Sequence, residues 1–149
     1  MLFKKNENKE LTMKVQLDRD ANIPTRAHTT DAGLDLYTPT DAKIDGWGNI
    51  TIDTGVHIEI PHGYYGKIES KSGLNVKHDV VCCGGVIDEG YTGSICVKLY
   101  CFNEVGYEFE KGDKIAQLII QPYATPEIKI VKSLEKTDRG NNGFGSTGK

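Results

Sequence analysis

Apolar residues alternate with polar ones along Met13 to Leu17, Ile50 to Ile60, Ile95 to Cys101 and Ile128 to Leu134. A period of two is the signature of β-strands with one buried face, so these four runs predict strands. Glycine and proline interrupt the chain at short intervals, at Pro24, Gly33, Pro39, Gly46, Gly48, Gly55, Pro61, Gly63, Gly66, Gly84, Gly85, Gly90, Gly93, Gly106 and Gly112. Short strands joined by tight turns follow from that punctuation. Nowhere does a helical period persist over ten residues. The best helical candidate is one or two turns over Ser72 to His78, with Ser72 as the N-cap. The pattern predicts an all-β sandwich, jelly roll or small barrel.

Composition narrows the setting. With 149 residues and 38% hydrophobic content, the chain suits one domain that buries roughly two-thirds of its unfolded surface. A net charge of −3 lacks the basic excess that duplex-binding proteins use on phosphates, which argues against a nucleic-acid polymer and for a small ligand such as a nucleotide. The four cysteines form no CxxC pair and no metal-type spacing with the four histidines. Neither a zinc site nor a disulfide framework is supported, and reduced thiols in a cytoplasmic protein are expected. Residues 1–12 are polar and read as a disordered extension. No run of eighteen apolar residues occurs, so a soluble intracellular protein without a membrane span is expected.

The last eleven residues, RGNNGFGSTGK, hold four glycines and one aromatic. Such a tail is expected to be mobile until a ligand orders it. Glycine lets backbone N–H groups approach phosphate oxygens, and Arg139 offers a planar fork for bidentate phosphate binding.

Five segments in order carry a resemblance: AGLDL from Ala32, GKIESKSGL from Gly66, GGVIDEGYTG from Gly84, KGDKIAQLI from Lys111 and RGNNGFGSTG from Arg139. Their order and spacing resemble the motifs of the trimeric dUTP pyrophosphatase family. The resemblance implies a distorted jelly-roll β-barrel over residues 13–138, assembled as a homotrimer whose three sites each draw on all three subunits. It also implies that residues 139–149 close as a lid over bound dUTP.

Residue roles follow from the same resemblance. Asp88 matches the carboxylate that activates the attacking water, and the reading places it on a rigid strand. Tyr91 matches the tyrosine whose ring lies under deoxyribose and rejects a 2′-hydroxyl. The hairpin from Cys82 through Gly85, Val86 and Ile87 resembles the segment whose backbone pairs with uracil. Ser72 and Gly73 match the phosphate-binding pair, and Gln117 the glutamine near the α-phosphate. In the tail, Arg139 would clamp the γ-phosphate, Phe144 would stack on uracil, and Gly145, Ser146 and Thr147 would donate to the β and γ phosphates. Asp35 matches the carboxylate that holds the neighbouring cation, which here is Lys71.

Mg2+ is the implied cofactor, held through the triphosphate and waters, with no direct side-chain ligand and Asp35 behind the waters. Three positions depart from common family usage. Lys71 stands where arginine is usual, Ser70 where proline is common, and Cys82 where some relatives carry asparagine. Cys82 and Cys83 read as packing thiols. Two rival readings are a dCTP deaminase, which needs a glutamate where Lys98 stands, and a binding module that uses the nucleotide as a switch, against which the retained Asp88 argues.

Overall fold

The strands form where β-branched and aromatic side chains recur at alternate positions. A computed structural model describes residues 11–145. Among the described residues there are eleven strands: β1 (Lys14–Leu17), β2 (Leu34–Tyr37), β3 (Ala42–Ile44), β4 (Asn49–Asp53), β5 (Val56–Glu59), β6 (Tyr64–Glu69), β7 (Val80–Cys82), β8 (Val86–Ile87), β9 (Cys96–Cys101), β10 (Tyr107–Phe109) and β11 (Lys114–Pro122). One helix, α1 (Ser72–His78), joins β6 to β7. The predicted all-β, jelly-roll-like class is therefore the observed one.

Every strand pairing is antiparallel. The largest sheet has the order β2-β11-β6-β8, and a second runs β4-β9-β7. The pairs β1-β5 and β10-β3 complete the layers. Strand β11 is the longest and lies between β2 and β6, so Gln117 sits beside Asp35 on one side and Glu69 on the other. A register shift between Lys114 and Ala116 lets Ile115 and Ala116 both turn inward. The inward residues of the layers meet in a single core that includes Leu36, Ile44, Ile58, Ile95, Val97, Leu99, Ile115 and Leu118.

Three sequence expectations are corrected by this arrangement. The alternating run Ile50 to Ile60 is two strands, because the chain turns at Gly55 with φ +66 and changes partner from β9 to β1. The same set of residues stays inward through the corner, at Ile52, Thr54, Val56, Ile58 and Ile60, with Gly55 buried between two of them. Thr54 can occupy this inward position because its hydroxyl donates to the Ile95 carbonyl at 2.8 Å. The run Ile128 to Leu134 forms no strand: Ile128, Ile130 and Leu134 are 90%, 96% and 86% exposed. Among the described residues no strand lies beside that segment to pair with it.

The third correction concerns α1. Ser72 is its first helical residue; the N-cap is Lys71, in extended conformation and without a side-chain cap. The helix is closed at its other end by Asp79 in the left-handed region, whose N–H reaches the Asn75 and Leu74 carbonyls, with Lys77 and His78 favourably placed in the last turn. No helix among the described residues is long and apolar enough to cross a membrane. The expectation for residues 1–12 falls mostly on residues 1–10, outside the described part.

The core's dependence on β11 can be tested at Leu118, which is fully buried at the centre of the largest sheet. Leu118→Ala is expected to lower unfolding free energy by about 2–5 kcal/mol, from lost transfer energy and the cavity left behind. Urea denaturation followed by Trp47 fluorescence or circular dichroism measures it.

Candidate functional site

The polar ends of β2, β6 and β11 converge on one buried carboxylate. Asp35 is 4% exposed, on β2 between two core neighbours. Its Oδ1 receives Lys71 Nζ at 2.5 Å and its Oδ2 receives Lys114 Nζ at 2.9 Å. Burial alone would raise this carboxyl; hydrogen bonds and charge from the two lysines outweigh it and hold the carboxyl below its ordinary range. Two ammonium groups against one carboxylate leave a surplus positive charge. It faces a cleft of about 270 Å3 that Lys71, Gly73, Lys77, His78, Tyr107 and Lys114 help to line.

The Lys71–Asp35 pair is the one expected from sequence, whereas Lys114 was missed. Its only signal is position: it opens β11 at the bulge that brings the strand's end against Tyr37, two residues beyond Asp35. Ser72 and Gly73 begin α1 beside this cluster, and a Cβ added at Gly73 would meet open space. That leaves room for a ligand to approach the backbone.

Gln117 lies on the same sheet, but its amide is used inside the fold. Nε2 donates to the Ser70 carbonyl at 3.0 Å. Gly33 is glycine for this reason, since a Cβ there would collide with Gln117 Oε1. Ser70 in turn accepts the Cys82 N–H on its hydroxyl at 2.8 Å. Ser70, at a position where the resemblance makes proline common, thus ties the chain just after β6 to the end of β7.

The hairpin expected over Cys82 to Ile87 is corrected to a crossing between sheets: β7 pairs with β9 and β8 with β6, and the chain turns between them at Gly84 and Gly85, with φ +83 and +104. Gly85 accepts the Ile68 N–H at 2.8 Å, and a Cβ on it would lie 2.6 Å from Ile68 Cβ. Val86 points outward at 69% exposure while Ile87 is buried. Burial pushes the Cys82 thiol up to about 11, so it stays protonated, as the packing-thiol reading expects, whereas Cys83 is exposed and that reading is corrected for it; all four cysteines are free.

Asp88 is exposed and follows the last residue of β8; the expected place on a strand is corrected to the first residue beyond a strand of two. Its carbonyl accepts the Tyr91 N–H at 3.0 Å. The tyrosine ring lies against Gly93, and its hydroxyl donates to the Ser94 carbonyl at 2.9 Å. The next residue, Thr92, is tied to β5: His57 places Nδ1 2.8 Å from the Thr92 carbonyl and Nε2 3.2 Å from Asp18 Oδ2. Those two acceptors, the carbonyl first, raise the imidazole above its ordinary value.

Glu89 was not singled out from sequence, yet it is the most tightly held group near Asp88. Tyr123 donates its hydroxyl to Oε2 at 2.6 Å, the Gly63 N–H reaches Oε2 at 3.0 Å, and His62 Nδ1 lies 2.7 Å from Oε1. These bonds, the tyrosine's first, hold its carboxyl down to about 2. Asp88, Glu89 and Tyr123 line a cleft of about 510 Å3 with Tyr65, Val86 and Gly90. It shares no lining residue with the basic cleft. Within one chain, then, the candidate base and the candidate phosphate groups stand apart.

The tail residues are likewise away from both clefts' linings. Arg139 donates from Nε to its own Asn142 carbonyl at 3.0 Å, and Phe144 is fully exposed with φ +51. Gly145 has φ +90, while Ser146 and Thr147 lie outside the described residues. Lys98, the position at which a deaminase would need glutamate, points its ammonium at Asn49 Oδ1.

A dUTPase family profile matches residues 19–148. Deoxyuridine 5'-triphosphate nucleotidohydrolase of Rattus norvegicus is 42% identical over 135 residues, covering 91% of this chain and 66% of the rat protein, just under two thirds of its length. The probable enzyme of that name in Schizosaccharomyces pombe is 41% identical over 133 residues, covering 89% of this chain and 95% of the yeast protein. Among solved structures, the dUTPase of Staphylococcus bacteriophage 80alpha with dUpNHpp is similar at a TM-score of 0.85 and 32% identity. That match covers 92% of this chain and 98% of the phage chain.

The Asp35 cluster carries its own pH signature. Because the folded carboxyl titrates below its unfolded value of about 3.9, its stabilising effect is complete above that value and is lost as pH falls through the lower folded one. Asp35→Asn is expected to cost about 2 kcal/mol at pH 7, since it strands two ammonium groups. The difference from the parent should shrink toward pH 2 in urea unfolding curves.

Proposed function

The chain belongs to the dUTPase family, and on that premise we propose that it hydrolyses dUTP to dUMP and pyrophosphate at sites shared between the subunits of a homotrimer. The observation that carries this reading is the separation just described. A surplus-positive cleft with open backbone at Gly73 suits phosphate, an exposed carboxylate at Asp88 suits a base, and the two occupy different clefts of one chain. Sharing a site between chains brings such halves together. The exposed apolar positions Ile128, Ile130 and Leu134, spaced for one face of a strand, supply a surface for a neighbouring subunit to cover.

In this reading the uracil ring lies against the segment from Cys82 to Ile87, which turns at two glycines in the left-handed region. Tyr91 presents its ring to the deoxyribose, with its hydroxyl already committed to Ser94 and therefore fixed. Lys71, Ser72 and Gly73 receive the α and β phosphates, with Gln117 behind them. Lys71 has N–H bonds left over after Asp35 and delivers a point charge. Asp88 takes a proton from the water in line with the α-phosphorus as the oxygen attacks, and the pyrophosphate leaves.

Asp35 does not suit direct ligation of a metal, because both of its oxygens already accept lysine ammonium groups. The donor set fits Mg2+ arriving on the triphosphate, with waters filling its shell and Asp35 acting through the lysines. When bound, that ion supplies charge neutralisation and alignment of the phosphates. Residues 139–149 close over the nucleotide from a neighbouring chain: Arg139 on the γ-phosphate, Phe144 on uracil, and Gly145, Ser146 and Thr147 on the β and γ phosphates. The product dUMP serves dTMP synthesis, and removal of dUTP limits uracil in DNA, inside the cell.

Magnesium-dependent pyrophosphate release should be rapid with dUTP and slow with dTTP, dCTP and UTP, and a chelator should abolish it. Comparable rates on several of these nucleotides overturn the selectivity assigned to Tyr91 and the segment from Cys82 to Ile87. Asp88→Asn is expected to keep nucleotide binding while turnover falls by roughly 10³-fold or more, the scale of losing a general base together with water orientation. Deletion of residues 139–149 should leave the trimer mass unchanged in light scattering while turnover collapses; dissociation of the trimer would make the tail structural.

A further inference from the structure

We propose that Glu89 is a positioning residue for the reaction, clamping the loop so that the neighbouring Asp88 is held in place while its own carboxylate stays free. The proposal rests on the reading of Asp88 as the base.

Asp88 has an anchor on each side. Before it, Ile87 is buried and paired with Gly66 of β6. After it, Glu89 receives three donors from two distant parts of the fold. His62 and Gly63 belong to the turn between β5 and β6, and Tyr123 follows β11 directly. That platform is itself cross-braced. Tyr123 N–H donates to the Gly63 carbonyl at 3.1 Å, the Tyr123 ring meets Tyr65 edge-on at 6.3 Å, and Tyr65 hydroxyl donates to Gln121 at 3.0 Å.

The chain at Asp88 is thereby fixed at the preceding backbone and the following side chain, with no hydrogen bond or ion pair to the Asp88 carboxylate among the described residues. Preorganisation of this kind matters because a base displaced by about 1 Å can lose about 10²-fold in rate. Glu89 is suited chemically as well. Oε2 faces a hydroxyl and a backbone N–H, and the latter can only donate, so an acceptor is required there. Oε1 faces His62 Nδ1, a nitrogen that can accept in one tautomer. Glutamine can therefore keep the clamp by turning its amide nitrogen toward His62, whereas alanine cannot keep any of it.

The Tyr91 segment has separate ties, through the Ser94 carbonyl and through His57 to Thr92. Loosening Glu89 should then disturb the base far more than nucleotide binding.

The test is steady-state dUTP hydrolysis by Glu89→Ala, Glu89→Gln, Tyr123→Phe and Asp88→Asn, with trimer mass and melting temperature recorded for each. Glu89→Ala is expected to lower kcat about 10- to 100-fold with KM changed less than about threefold. Glu89→Gln should recover most of the loss, and Tyr123→Phe should fall between. Parental kcat in Glu89→Ala, alongside an inactive Asp88→Asn, overturns the clamp and leaves the base assignment standing. Near-parental turnover in Asp88→Asn instead overturns the base assignment and the clamp's purpose with it. If Glu89→Ala fails to fold, Tyr123→Phe decides: a lowered kcat at unchanged KM supports the proposal, and a parental kcat overturns it.

Discussion

A carboxylate buried in a β-core must be neutralised, and this requirement at Asp35 organises one end of the molecule. Burying an ion is costly, by several kcal/mol even after relaxation, unless opposite charge and hydrogen bonds reach both oxygens. Lys71 and Lys114 reach one oxygen each, from the N-cap of α1 two residues after β6 and from the first residue of β11. Satisfying Asp35 therefore fixes where β6 ends, where α1 begins and how β11 enters its sheet. Because two cations answer one anion, the same cluster delivers net positive charge to the surface beside Ser72 and Gly73.

Much of this architecture was legible in the sequence, though in a particular sense. Alternation reports which side of the chain is buried and not which strand it pairs with. The residues at 52, 54, 56, 58 and 60 are all inward as the pattern implies, yet a glycine in the left-handed region moves the chain between sheets midway. At Ile128 to Leu134 the same pattern marks no strand: among the described residues none lies beside the segment, and its apolar positions stay exposed. The Ser72 assignment failed more locally: Lys71 adopts the extended cap conformation and serine shifts inward by one, an offset within the ordinary uncertainty of helix ends.

At the site, the motifs exposed groups suited to touch a ligand and hid those that hold them. Asp35 with Lys71 was readable because both sit in recognisable segments. The contacts of Lys114, Ser70 and Glu89 were not, although these three also sit in such segments, and nor was His57, because their partners are set by strand register and by loops distant in sequence: Glu89 reaches Gly63 and Tyr123 across 26 and 34 residues. Such contacts exist only once the sheets have formed. A lone glutamate between an aspartate and a glycine carries no sign of them.

The two clefts of one chain are also organised by opposite electrostatic devices. The Lys71–Lys114 side keeps a carboxylate buried between two lysines, while the Asp88 side pins an accessible carboxylate, Glu89, with a tyrosine hydroxyl, a backbone N–H and an imidazole. The two share no residue, so each cleft can be rigid on its own. Under the shared-site reading, what remains for substrate binding to order is the glycine-rich tail. Its glycines raise the entropy lost on closure, and each closing contact must exceed that cost. Arg139 and Phe144 are the tail side chains able to do so, through a bidentate ion pair and a stacked ring, which places the tightest closure on a ligand that carries both a full triphosphate and a base.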